Sequence, residues 1–443
     1  MMKNKILSIL TVFALVFSLT SCEDYFGDVN VDPNNPTAVT PNVLLPQIQV
    51  RLAYAYGGDA SRHLSIFTQH LDGVTRQFAI YQNYGIQPND VDNLYGGNLY
   101  SGVMMDNRQL RALADAEGYN HYSGISRAIE AYTMMLVTDW WGDVPYSEAF
   151  QGTDLLSPKY DDQADIYVEI FRLIEEAISL LSGDGGAVLP GGADLMYGGD
   201  ADAWVKFCRT LKARGYLHLS KLDNANYQNV LDNLADGFAS RDDDGRITFG
   251  STPSSTAPWY QYIEQRDDAE VGVNYVALMN SLNDPRVDVY GVPLDVPGHP
   301  VFVRNQAQPL LTYVEAKFME AEAEMMVNGA AAAHQPYLDA IMASFSDAGL
   351  DSEYAAYVGQ TEIDPGSGNL TLDHIMTQKY IAMFMDPEVF SDWRRTGIPE
   401  LDPNTGANVP RRLPYAETAV LYNENTPSPA DVTIYDRVDW DVE

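Results

Sequence analysis

Apolar residues return at steps of three and four along much of this chain, in runs separated by stretches rich in Gly, Pro, Asn and Asp. That spacing gathers them on one face of a helix. It predicts helices over Val43–Tyr54, Leu64–Phe78, Val103–Ala116 and Tyr122–Trp140, the last two paired across Gly118. A stripe of Ile166, Ile170, Phe171, Ile174, Ile178 and Leu181 predicts the next, capped by Asp161 or Asp162 and ended by Gly183. Asp200 precedes another run from Trp204 to Leu219, and Pro309 opens one through Leu311, Val314, Phe318 and Ala321 that closes at Gly329. Tyr337–Phe345 and Leu372–Met385 complete the set. Strand signals are scarce, with one short strand expected around Arg246–Phe249. Helices in successive pairs of roughly 35–45 residues predict a mostly α fold: a tetratricopeptide-like helical-pair superhelix with irregular loops and a few short strands.

One helix end organises the rest. Ile125, Ile129, Tyr132, Met135 and Leu136 lead into Thr138-Asp139-Trp140-Trp141-Gly142-Asp143-Val144-Pro145-Tyr146-Ser147-Glu148-Ala149. The paired tryptophans bring a large apolar surface to the helix end, Gly142 stops it, and Pro145 prevents it from restarting at once. Taken alone, this is a packing corner.

The first residues change the picture of where the protein works. Lys3 and Lys5 form a short basic region, and Ile6–Leu19 is an apolar run too short to span a bilayer comfortably. Leu19-Thr20-Ser21-Cys22 then looks like the signal at which bacteria cleave a leader and lipidate a cysteine. The expected organisation is a signal peptide over 1–21, an acylated (palmitate-bearing) Cys22 with an extended tether over 22–46, and a single helical domain over 47–443. Glu23-Asp24 resembles the acidic tag that sends such lipoproteins to the outer cell surface. With 2 Cys in the chain and one of them lipidated, Cys208 is left alone, so neither a disulfide framework nor a zinc cluster is available. The net charge of −35 repels phosphates and anionic membrane surfaces, which argues against a nucleic-acid partner and leaves the lipid anchor as the only membrane contact.

The corner, the tether and later segments together resemble the SusD/RagB family of outer-membrane nutrient-binding lipoproteins. The resemblance rests on the Trp140-Trp141 stretch, on Asp32-Pro33-Asn34-Asn35-Pro36, and on Pro158-Lys159-Tyr160-Asp161. It continues through Tyr197-Gly198-Gly199-Asp200 with Trp204-Val205-Lys206-Phe207, and Asn283-Asp284-Pro285-Arg286. It ends in Asp392-Trp393-Arg394-Arg395-Thr396-Gly397 and Val409-Pro410-Arg411-Arg412-Leu413-Pro414-Tyr415. The resemblance implies a cell-surface lipoprotein of the outer membrane that binds a nutrient, an oligosaccharide above all, and passes it to a SusC-type TonB-dependent transporter. The alternatives are a helical-repeat scaffold for peptides or proteins, and a surface glycosidase.

The residues point to binding rather than catalysis. The chain has no Gly-x-Ser-x-Gly, Gly-x-Gly-x-x-Gly or His-Glu-x-x-His motif, and its 7 His are scattered. No cofactor is expected. Arg394 with Arg395, and Arg411 with Arg412, offer either a bidentate grip on an anion or clamps on acidic helix ends. Asp242-Asp243-Asp244-Gly245 reads as a calcium loop lacking its final Glu, or as a solvated turn. Two stretches gather rings and amides outside any clear helix, the first starting at the end of the helix predicted to Phe78: Gln77 to Tyr84 continuing to Leu94-Tyr95, and Pro258 to Tyr262. Rings stack on the C–H faces of sugars, and amides bond hydroxyls without needing charge. The candidate ligand residues are therefore Tyr81, Asn83, Tyr84, Tyr95, Trp259, Tyr260 and Tyr262, against the alternative that these rings tuck into the body.

Overall fold

The computed structural model describes residues 39–442, and Pro41 onward forms one unit. Helix α1 (Pro41–Tyr54) buries Leu44, Leu45, Ile48 and Leu52, so residues 41–46, expected to close the tether, are its first turns. A wide π turn (Ala55–Ala60) carries the chain straight into α2 (Ser61–Phe67). The single helix predicted over Leu64–Phe78 is broken here. Gln69 takes φ 60°, strand β1 (Leu71–Gly73) follows, and α3 (Arg76–Gln82) begins anew. The helical spacing of Leu64, Phe67, Leu71 and Phe78 misleads because Leu71 is buried by a strand pairing that no local pattern announces.

A second π-wound segment, Asn93–Met105, runs into α4 (Asp106–Glu117). Gly118 then turns the chain into α5 (Asn120–Trp141), as predicted, and α5 is buried along almost its whole length. Helix α6 (Gln163–Leu181) shows the predicted stripe, but neither expected side chain caps it. Asp143, from the tryptophan corner, accepts from Gln163 N at 2.9 Å, while Asp161 accepts from Tyr146 N and Ser147 N. Asp200 does cap α7 (Ala201–His218), accepting from Asp202 N and Ala203 N at 3.0 and 3.1 Å. Cys208 on this helix is free and fully buried, and burial pushes its thiol up to about 12.

Helix α8 (Asn226–Leu234), β2 (Gly245–Thr248), α9 (Pro258–Gln265), β3 (Ala269–Val271), α10 (Val273–Ser281) and α11 (Val287–Tyr290) follow. The helix expected to open at Pro309 is instead β4 (Ala307–Leu311), then α12 (Tyr313–Val327). Proline suits the edge of a two-stranded ladder, and Thr312 makes the cap, its Oγ1 accepting from Glu315 N at 3.2 Å. The remaining helices are α13 (Ala330–Asp347), α14 (Tyr354–Val358), α15 (Leu372–Ala382), α16 (Glu388–Thr396) and α17 (Glu417–Tyr422). Successive helices pack as neighbours from α4 through α8, α12 lies on α8, and α13 lies on α12. The fold is a mostly α, tetratricopeptide-like stack; the described strands form two antiparallel pairs, β1–β3 and β2–β4.

The tryptophan corner is closed by the C-terminal segment. Trp140 and Trp141 are fully buried; Trp141 Nε1 donates to Pro414 O at 2.8 Å, and Leu413 N donates to Trp140 O at 2.9 Å. The arginine pairs serve the same architecture. Arg394 donates to Asp139 O at 2.7 Å, Arg395 grips Glu322 and Asp392, Arg411 pairs with Asp441, and Arg412 donates to Trp141 O. Of the two readings of these arginines, the clamp is the one the structure shows. The acidic turn is likewise occupied by protein partners. Asp243 accepts from Lys206 Nζ at 2.8 Å and from Ala239 N, while Asp244 accepts from Arg246 and from Tyr313 N.

Candidate functional site

The two ring-and-amide stretches meet. Both turn out to be helical: Gln77–Gln82 lies in α3, and Pro258–Gln265 is α9, with Pro258 at its first turn, a position proline favours. The segment that follows α9 is stitched to the start of α3. Val74 N donates to Asp268 O at 2.9 Å, Thr75 Oγ1 to Asp268 Oδ1 at 3.1 Å, and Arg76 pairs with Asp268 and, at 3.0 Å, with Asp267. Arg76 has φ 49°, uncommon for a residue with a side chain, and these carboxylates hold it there. On the third side, the π turn presents Asp59 and the start of α2 presents Arg62. Gly58 within the π turn lets α9 press close, since a Cβ there would stand 3.1 Å from Pro258 Cβ.

Between these elements lies a cleft of about 430 Å³. Its rings are Tyr54, Phe78, Tyr81 and Tyr262. Phe78 and Tyr262 have centroids 5.2 Å apart, Phe78 and Tyr81 5.5 Å, and Arg62 lies over the Tyr262 ring at 5.1 Å. Gln77, Asn89, Asn93, Gln261 and Gln265 supply amides around them. Burial, then the neighbouring Asp90, raises the Tyr81 hydroxyl; burial, then Asp268, raises that of Tyr262. Both stay protonated donors at neutral pH.

Charge in the cleft is mixed and mostly engaged. Asp59 takes Arg62 and, at 2.8 Å, Asn98 Nδ2; Asp90 accepts from Gln77 Nε2 at 2.8 Å and from Gln87 N at 2.8 Å. Burial, then Arg62, lowers the pKa of His63 to about 4, so its ring in the cleft wall is neutral. The lining cations are Arg62 and Arg266, facing Asp59, Asp90 and Asp268. With no surplus of positive charge, the cleft suits a polar ligand rich in hydroxyls rather than an anion. Among the described residues, no cluster of three or more His, Cys, Asp or Glu side chains is arranged to hold a metal ion.

Of the residues singled out from the sequence, Tyr81 and Tyr262 line this cleft. Trp259 packs one layer behind, edge-on to Tyr262 at 5.5 Å, its Nε1 donating to Ser61 Oγ at 3.0 Å. Tyr260 points the other way, stacked on Phe302 at 5.0 Å. Tyr84 is buried against Phe67 and its hydroxyl accepts from Asn404 N at 2.9 Å. Tyr95 belongs to the tryptophan corner, 5.0 Å from Trp141. These four rings are core, on the inner face of amphipathic stretches, and Tyr81, although it lines the cleft, is itself 2% exposed. Asn83 is exposed, and its amide donates back to Ala79 O at 2.8 Å. Cys22 lies outside the described residues. Sequence reasoning missed Arg62, Arg266, Gln265, Asp59 and Asp268; the spacing of Gln261 and Gln265 by one helical turn from a start at Pro258 was the available signal.

Comparison with known proteins follows from this geometry. The model of a family named SusD-like_2 and described as "Starch-binding associating with outer membrane" matches residues 33–416. Among solved structures, a SusD/RagB family protein from Bacteroides thetaiotaomicron superposes with TM-score 0.77 at 22% identity, over 91% of this chain and 99% of that one. A chitin-binding SusD homolog from Flavobacterium johnsoniae gives 0.73 at 21%, over 90% and 97%. A Bacteroidetes protein described as AC2a SusD-like gives 0.78 at 21%, over 91% and 100%. At these identities the structural likeness speaks for the fold. No curated protein is significantly similar in sequence. Among the described residues, no helix is long and apolar enough to cross a membrane.

Proposed function

The chain belongs to the SusD-like family, whose description is starch-binding and associated with the outer membrane, and from that premise we propose that it is a cell-surface lipoprotein that captures an oligosaccharide in the cleft between α2, α3 and α9. Cys22 carries the lipid that holds it to the outer membrane, and a SusC-type TonB-dependent transporter receives the ligand. The observation that carries the reading is the convergence of Tyr81 and Tyr262, from distant parts of the chain, with side-chain amides in one cleft without excess cation. Such a cleft offers ring faces for the C–H surfaces of a sugar and neutral donors for its hydroxyls. Relatives described as chitin-binding or nutrient-binding agree with a binding role.

The test is calorimetry of the purified chain against starch- and chitin-derived oligosaccharides. Tyr262→Ala removes a lining ring and is expected to weaken binding about tenfold, the worth of one buried side chain. Circular dichroism must stay unchanged. Intact affinity in both Tyr262→Ala and Tyr81→Ala would move the site elsewhere. For the anchor, Cys22→Ala should abolish palmitate labelling and membrane retention. For the partner, gentle detergent extraction should bring down a large β-barrel, since a stable complex needs an interface above roughly 1,200 Å². Repeated recovery of the chain alone would leave the transporter assignment without support.

A further inference from the structure

The cleft does not end at its own wall. A second cleft of about 400 Å³ lies against it, and the two share Tyr262 and Arg266. The second is made by the other side of the segment that follows α9, by β3, and by the loop after α11. Its floor is apolar, with Val271 and Leu294 buried and Val292 partly so, while Glu270 and Asp295 stand exposed at its rim. That is again the combination a sugar ring needs: an apolar surface for its C–H face and acceptors for its hydroxyls. Each cleft alone lies near the lower end of the range for small-molecule sites, about 300–1,000 Å³, and the two together lie near its upper end.

The residue at the junction is free to act on both sides. Arg266 has half of its side chain exposed, and its ion-pair contact among the described residues is Asp268 at 3.6 Å, too long for a hydrogen bond. Its guanidinium therefore keeps donors for a ligand, and its fork can serve hydroxyls in either cleft. Tyr262 is fixed from behind by Trp259 and from the first cleft by Phe78, so it is a rigid element common to both. Resting on the glycan reading above, we propose that the two clefts are successive parts of one extended site joined across Arg266. The first takes one end of the oligosaccharide and the second takes the residues that follow. The site thereby selects chain length: fragments that fill only the first cleft bind weakly, and longer ones bind tightly.

The experiment is calorimetry of the full chain with maltose-to-maltohexaose and chitobiose-to-chitohexaose series. For the wild type, the hexamer of the binding series is expected to bind about tenfold tighter than its dimer, the worth of one further buried contact. Val292→Trp fills the second cleft without touching the first. It should bring the hexamer down to the dimer's affinity and leave the dimer unchanged. Asp295→Trp, at an exposed position, is the second blocking variant should Val292→Trp fail to fold, and the same loss is expected. Length dependence that survives in a folded blocking variant overturns the extended site while leaving the first cleft as the binding site. Equal affinity for dimer and hexamer in the wild type overturns it as well. If neither series binds at any length, the glycan reading falls, and the extended site falls with it.

Discussion

Arg395 and Arg266 both face carboxylates, in opposite surroundings. Arg395, on α16, is 1% exposed; it donates to Glu322 Oε2 at 2.7 Å and to Asp392 Oδ1 at 3.0 Å, and Lys379 completes the group at 2.6 Å from Asp392. Arg266 has a side chain 53% exposed and stands 3.6 Å from Asp268. The core holds more of the first kind. Arg214 binds Glu315 through Nε and Nη2 at 2.7 and 2.6 Å, and Arg286 binds Asp284 with both side chains fully buried. Buried charges must be paired and saturated, because an unmatched one costs several kcal/mol. Arg266, half exposed at the cleft, is under no such constraint. A scaffold that pairs its buried charges leaves a loosely held, half-exposed cation at the cleft, and that edge is where a ligand finds partners.

The sharpest way to break this contrast is to remove one partner from the interior. Arg395→Leu leaves Glu322 buried without its cation and is expected to cost about 3–5 kcal/mol of unfolding free energy. Urea denaturation measures it. The double variant Arg395→Leu/Glu322→Leu should recover much of the loss, since replacing both members with apolar groups removes the stranded charge. A single variant as stable as wild type would mean that the pair is not under the constraint argued here.

A pH titration sharpens the same point at His218. Burial opposes charge on this ring, but Glu388 at 2.6 Å and Asp139 at 3.0 Å outweigh it and raise its pKa to about 9. In the unfolded chain the value is about 6.5. The folded state therefore holds this proton more tightly, so its stabilisation is complete below about pH 6.5 and is lost as pH rises through about 9. The full effect is at most about 3 kcal/mol. Asp386, raised to about 7 by burial and then by Glu315, loses its proton lower on the scale. Cys208 and the buried tyrosines, raised by burial, also lower stability toward pH 9.5, so the histidine is read as the difference between the wild type and His218→Gln from pH 7.5 to 9.5. Unfolding free energy should fall across that interval in both proteins, and more steeply in the wild type than in His218→Gln. Parallel curves would refute the charged histidine.

How far the sequence carried this picture follows the same division. Helices whose apolar stripe faces a neighbouring helix, α5 and α6, were legible together with their ends, because the period and the stop signals lie in the segment itself. The break between α2 and α3 was not, because Leu71–Gly73 becomes a strand only through Ala269–Val271, far away in the chain. The rings of the two candidate stretches were legible as composition. Which of them face outward was decided by helices that rings and amides at mixed spacing did not announce. α9 turns Tyr262 and Gln261 to the cleft and buries Trp259 and Tyr260, and α3 sets Tyr81, itself buried, in the cleft wall. Arg62 and Arg266 sit among other charged residues with no motif around them, so nothing short of the tertiary structure brings them to the site.

The smallest expected effect tests the outer half of the comparison. Arg266→Ala removes a half-exposed charge whose contact with the buried Asp268 is long, at 3.6 Å. Water and salt screen such a pair, and ordering a long side chain to make it costs entropy, so exposed pairs contribute little. Asp268 keeps the partners of its Oδ1, Arg76 and Thr75 Oγ1, in the variant. The unfolding free energy should therefore change by less than about 0.5 kcal/mol, and 0.5 M salt should not alter that difference. A loss of 2 kcal/mol or more, about the scale of a buried partner, would show that Arg266 belongs to the scaffold. If stability holds, any loss of oligosaccharide affinity in the same variant can be read as lost contact with the ligand, because the cleft that remains is the native one.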